Sequence, residues 1–142
     1  MIPAFAAAPH RRLPSASRCV DLHLLRRVFS LNPPRVERWV AQADVMPRAA
    51  AVVGHGGSGS TLIALAAGVP LALVPLFVDG PENARRVADA GAAIVVGDAA
   101  DLAGAVRRLL DDDGYVRAAR GIAEEIRALP PIDAAVDVFS RA

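Results

Sequence analysis

The run Ala51-Val-Val-Gly-His-Gly-Gly-Ser-Gly-Ser-Thr61 constrains the fold of this chain more than any other stretch. An apolar β-forming segment passes into Gly54, Gly56, Gly57 and Gly59, and the chain then enters the apolar helical run Thr61–Ala67. Glycines let a backbone approach a ligand closely, and the free N–H groups at a helix start favour an anion. One such interaction is worth about 0.3–1 kcal/mol, so holding a diphosphate takes several donors together. His55 and the hydroxyls of Ser58, Ser60 and Thr61 can supply them. The plainer reading is a tight strand-to-helix turn with Ser60 or Thr61 as an ordinary N-cap. Four glycines in six residues exceed what a cap requires, which favours a ligand.

The surrounding pattern sets the fold class. Val36–Val40, Ala51–Gly54, Leu71–Val74 and Ala93–Val96 read as short strands, apolar throughout, as strands covered on both faces are. Thr61–Ala67, Glu82–Ala90, Leu102–Leu110 and Tyr115–Leu129 read as helices, with a further one over Ile132–Arg141. Such alternation predicts an α/β fold, a Rossmann-like parallel sheet of about four strands with flanking helices. Residues 1–34 differ: prolines stand at 3, 9, 14, 33 and 34, and only Val20–Phe29 has a helical apolar period. The chain therefore divides into an irregular leader, 1–34, and an α/β domain, 35–142, without internal repeats.

Composition removes several functions. Of the 142 residues 54% are hydrophobic and 22% charged, which excludes disorder of the whole chain. A net charge of +1 gives no footprint for nucleic acid. All sixteen basic residues are arginine, so P-loop and Schiff-base lysine chemistry are excluded. Cys19 is the lone cysteine and no Cys/His set has zinc spacing, which fits a reducing, cytoplasmic setting. The opening Met1–Ala8 precedes His10, Arg11 and Arg12, the reverse of a secretory signal's order; the stretch is acid-free until Asp21 and has some likeness to a transit peptide, less than to a floppy leader. Ala49–Val78 lacks Asp, Glu and Arg over thirty residues, but Gly68, Pro70, Pro75 and the glycine loop divide it too finely for a membrane span. Asp111-Asp112-Asp113, a conceivable metal site, falls at a helix end and reads as a solvated loop.

Gly54 to Gly59 also fits G-x-G-x-x-G, with Asp79 twenty residues further on, which is the dinucleotide fingerprint and allows an NAD-binding module. Against it, the helix before Gly68 is barely two turns long and Asp79 lies beyond Pro75, away from a strand end. A hydrolase lacks support, because no G-x-S-x-G elbow accompanies His55-Gly56-Gly57.

Five ordered blocks carry a wider likeness: Trp39-Val40-Ala41-Gln42; His55-Gly56-Gly57-Ser58-Gly59-Ser60-Thr61-Leu62; Ala67-Gly68-Val69-Pro70; Pro75-Leu76-Phe77-Val78-Asp79; and Asn83-Ala84-Arg85-Arg86-Val87 with Gly91. Over roughly 35–138 the chain resembles the donor-binding C-terminal domain of GT-B nucleotide-sugar glycosyltransferases, especially UDP-glycosyltransferases and bacterial macrolide and glycopeptide relatives. The resemblance implies transfer of a sugar from a nucleoside-diphosphate sugar to the hydroxyl of a small-molecule acceptor, without a metal or other cofactor. It implies that Trp39 stacks on the nucleobase, where such stacking is worth about 1–3 kcal/mol, with Gln42 beside it. It further implies that His55, Gly57, Ser58, Gly59, Ser60 and Thr61 surround the diphosphate and that Asp79 holds sugar hydroxyls. On the residues alone, Trp39 as a core aromatic and Asp79 as a solvent-facing turn acid remain open. Asn83 is expected to cap or orient its helix in preference to touching ligand.

Three positions depart from the family pattern. Ala41 replaces a proline, Ile63 a glutamate that contacts ribose, and Gly80 a glutamine that contacts sugar. The family's general base lies in an N-terminal acceptor domain, and neither His10 nor His23 matches it, so no catalytic residue is expected in this chain. The likeness begins at the family's third donor-domain strand, which implies a truncated or degenerate copy. The remaining alternatives are a non-catalytic fragment, a subunit requiring a separate acceptor-domain chain, and the NAD module.

Overall fold

A computed structural model describes residues 39–131 together with 133 and 134. Three strands form the sheet among these residues: β1 (Val52–Gly54), β2 (Leu71–Leu73) and β3 (Ala93–Val95). All pair in parallel in the order β1-β2-β3, with Val53 opposite Ala72 and Ala72 opposite Ile94. The helices are α1 (Gln42–Val45), α2 (Ser58–Ala66), α3 (Gly80–Asp89), α4 (Leu102–Asp111) and α5 (Asp113–Ala128). Short 3-10 turns at Met46–Arg48 and Ala99–Asp101 complete the order.

The sheet is covered on both faces, which accounts for its unbroken apolar strands. Leu71, Leu73 and Ala93 face Ala64 and Leu65 of α2, Ala84 and Val87 of α3, and Ala119 of α5. Ala72, pointing the other way, packs with Leu102, Ala105, Val106 and Leu109 of α4. The central strand β2 is buried along its whole length, so its two neighbours are fixed in register by the core.

Two helices return to the sheet through the same device. Gly68, at φ +71°, lets its N–H reach the Leu65 carbonyl at 2.9 Å while Val69 N–H reaches Ala64 at 3.0 Å. Gly91, at φ +75°, repeats this with Ala88 and with Ala92 bonded to Val87. This paired closure satisfies the last helix carbonyls and turns the chain straight into β2 and β3. The strand carboxyl ends, and hence the loops after β1 and β2, therefore lie side by side.

Expectation and structure differ at the ends of elements. The strand over Val36–Val40 falls mostly outside the described residues; Trp39 and Val40 are not strand and lead into α1, so the described sheet has three strands where about four were expected. The helix over Val20–Phe29 lies outside the described residues, as does most of Ile132–Arg141, of which Asp133 and Ala134 form part of a helical turn. Helix α2 starts at Ser58, earlier than Thr61, because Gly57 is its extended N-cap. Asp112 accepts from Gly114 N–H at 2.8 Å and caps α5, giving the acidic triplet a structural role at the α4–α5 junction. Among the described residues no helix is long and apolar enough to cross a membrane.

Helix α3 carries an exposed ion-pair ladder. Glu82 meets Arg85 at 2.9 Å and Arg86 at 2.7 Å, and the two guanidiniums lower its carboxyl pKa to about 2. A depressed carboxyl pKa adds stability above its unfolded value near 4.5 that is lost as pH falls towards 2. Thermal melts should therefore show the parent losing stability across this window and Glu82→Gln losing less.

Candidate functional site

The loops at the carboxyl ends of β1 and β2 meet at a pair of glycines. Gly56 has φ +85°, and a Cβ placed on it would lie 2.6 Å from the Gly80 carbonyl oxygen. Reciprocally, a Cβ on Gly80 would lie 2.7 Å from the His55 carbonyl oxygen. Neither position accommodates a side chain without backbone movement. The lack of a Cβ at position 80 thus permits the two loops to touch.

Asn83, in the first turn of α3, fastens this contact. Its Nδ2 donates to the Gly56 carbonyl at 2.9 Å, to Asp79 Oδ2 at 2.9 Å and to Ser58 Oγ at 3.2 Å. Ser58 Oγ in turn donates to Asp79 Oδ2. Hydrogen bonds from Ser58 and Asn83 hold the Asp79 carboxyl below its usual range, so it is ionised at neutral pH. Asp79 precedes α3 yet does not cap it; its side chain is engaged with the glycine loop.

The α2 N-terminus is the other component. Gly57 has no side chain, no side-chain cap is made, and the first intrahelical-type bond runs from Thr61 N–H to the Gly57 carbonyl at 3.2 Å. The amides of Ser58, Gly59 and Ser60 thus stand at the helix start without a capping partner. A Cβ on Gly59 would have open space around it, while one on Gly57 would lie 2.5 Å from His55 Nε2. The His55 ring is therefore folded over the start of α2, and it stacks on Phe77 with centroids 5.9 Å apart and planes at 24°. Exposed amides, an imidazole and two hydroxyls converge where the helix dipole is positive, an arrangement suited to an anion.

The predicted residues fall on both sides of this start. Ser60 Oγ donates to Gln42 Oε1 at 3.0 Å, joining α1 to the glycine loop. Trp39 is 80% exposed, which excludes the core-aromatic reading. Three residues reach no more than about 10–11 Å, so Trp39 begins within that distance of Gln42. Thr61 is 4% exposed and faces the interior, and neither it nor Ser60 serves as N-cap. Sequence reasoning missed α1, the Phe77–His55 stack and the threefold attachment of Asn83, which it expected only to cap or orient its own helix.

Residues 24–138 match the EryCIII-like C-terminal domain family, described by erythromycin biosynthesis protein CIII, and the chain belongs to it. It is 43% identical over 139 residues to the elloramycin glycosyltransferase ElmGT of Streptomyces olivaceus, covering 94% of this chain and 34% of that protein. Among solved structures it resembles glycosyltransferase VinC in complex with DTDP at 30% identity and TM-score 0.73, over 85% of this chain and 32% of that one. It also resembles the spinosyn rhamnosyltransferase SpnG complexed with thymidine diphosphate at 27% identity and TM-score 0.72, over 81% and 33% of the two chains. The chain thus spans about a third of the length of these relatives. It has the α/β fold of GT-B donor domains, and the comparisons give the NAD-binding alternative no support.

Gly56→Ala should cost about 1–3 kcal/mol, from the positive φ and the overlap with Gly80 together. Urea unfolding followed by circular dichroism checks this; an unchanged midpoint would remove the glycine contact from the account.

Proposed function

We propose that this chain binds the donor of a glycosyl transfer, a nucleoside-diphosphate sugar, and that it does so for a glycosyltransferase acting on the hydroxyl of a small-molecule acceptor. The observation that carries the reading is the uncapped, exposed start of α2 with the His55 ring folded across it. In this reading the amides of Ser58, Gly59 and Ser60, the two serine hydroxyls and His55 hold the diphosphate, and Gly57 lets the imidazole lie close. Trp39 stacks on the base beside Gln42, and Asp79 accepts from sugar hydroxyls. Thr61 supports the loop from beneath, in keeping with its burial.

The chemistry follows from these placements. An acceptor hydroxyl, deprotonated by a base that none of the described residues supplies, attacks the anomeric carbon. The bond from that carbon to the diphosphate oxygen breaks, and negative charge collects on the leaving diphosphate. Fixed amide dipoles and an imidazole N–H aimed at that oxygen stabilise the charge as it develops, which is electrostatic catalysis without a resident metal. Support comes from the family membership and from the thymidine diphosphate in similar structures. Those structures also include one complexed with an aglycone, which fits a small-molecule acceptor.

Calorimetric titration with thymidine diphosphate, UDP and NAD tests the proposal. Saturable binding of a nucleoside diphosphate, weakened about 10–100-fold in His55→Ala by loss of a hydrogen bond to charge, is expected. Gly59→Asp separates binding from folding: an acid in the first turn favours the helix by about 0.3–1 kcal/mol yet repels phosphate. It should melt no lower than the parent and bind no diphosphate. Binding of NAD alone would overturn the reading.

A further inference from the structure

Resting on the donor-binding reading, we propose that Asn83 is the positioning residue that joins the diphosphate side of this site to its sugar side, acting through Ser58 and Asp79. Its amide reaches three acceptors at once: the Gly56 carbonyl within the glycine turn, the Ser58 hydroxyl at the start of α2, and the Asp79 carboxylate before α3. An amide nitrogen carries two hydrogens, so at least one of these bonds is shared, and any change in one acceptor is felt by the others. Ser58 donates to the same Asp79 oxygen, Oδ2, that Asn83 reaches.

The geometry points to an exchange on ligand binding. Ser58 has one hydroxyl proton, and it is committed to Asp79. A diphosphate at the helix start offers that proton a second, fully charged acceptor. Once Ser58 turns towards phosphate, Asp79 loses one of its two side-chain donors and has room for a sugar hydroxyl. Asn83 keeps the carboxylate in place during this exchange through its 2.9 Å bond, and the backbone bond from Asn83 N–H to the Asp79 carbonyl, at 3.0 Å, holds the same residue from behind. Without the Asn83 amide the carboxylate, exposed and attached to a residue following the left-handed Val78 (φ 56°), is free to rotate out of reach. Asn83 thus touches neither sugar nor phosphate, and its effect passes through Asp79.

A double-mutant cycle tests this, using thymidine diphosphate and thymidine-diphosphate-glucose as probes on the full chain. The quantity read is the ratio of the two affinities, which isolates the contribution of the sugar. Asp79→Asn and Asn83→Ala should each change that ratio by about tenfold, as expected for a hydrogen bond to a charged group. The double variant should change it no further than either single one. A residue with only a structural role would weaken both probes alike and leave the ratio intact. Melting curves accompany each variant, and Asn83→Leu, close to asparagine in shape, repeats the cycle if the alanine variant does not fold. An unaltered ratio in the Asn83 variants, or changes that multiply in the double variant, would overturn the positioning role while leaving donor binding untouched. A parent chain that binds neither probe would instead overturn the donor-binding reading, and this inference with it.

Discussion

Contact between two backbones, Gly56 against Gly80, is the constraint on which the rest of the site depends. Parallel strands place the loops after β1 and β2 next to each other, but adjacency alone would leave two ordinary side chains between them. Two residues without a Cβ let the carbonyls approach, and Asn83 then bridges the gap with a bond to the Gly56 carbonyl. From that closure follow the position of Ser58, the engagement of Asp79 and the exposure of the α2 amides. The double return through Gly68 and Gly91 serves the same end from the opposite side of the sheet, by fixing where β2 and β3 begin.

The proposed diphosphate cradle relies on dipoles in place of fixed side-chain cations. No lysine exists in the chain and no arginine forms part of the described cradle. Positive potential comes from oriented amides, with His55 laid over them and braced by Phe77. The one carboxylate close by, Asp79, is turned into hydrogen bonds from Ser58 and Asn83, and this keeps its charge to one side of the helix start.

Much of this was legible in the sequence, and the failures have a common cause. Short apolar runs bounded by Gly and Pro located β1, β2 and β3, and the 3.6-residue period located α3, α4 and α5, because burial on a sheet imposes those periods directly. The glycine loop announced itself by composition. Gln42 was expected beside Trp39 at the base; its bond from Ser60, 18 residues further on, was not foreseen. Helix α1 escaped notice because four residues, with Ala41 before them and Pro47 soon after, carry no periodic signal. Gly80 read as a lost sugar contact, and its close approach to the His55 carbonyl, 25 residues earlier, left no trace in the local sequence. Asn83 and Phe77 were opaque for the same reason: their partners are distant in sequence, and pairing across loops leaves no local pattern to read.

The central claim is that the first-turn amides of α2 receive the diphosphate. Amide NMR of the chain titrated with thymidine diphosphate tests it most directly. The account predicts that the Ser58, Gly59 and Ser60 resonances move furthest and saturate together with one affinity. Saturable binding that leaves those three amides in place while others shift would contradict it.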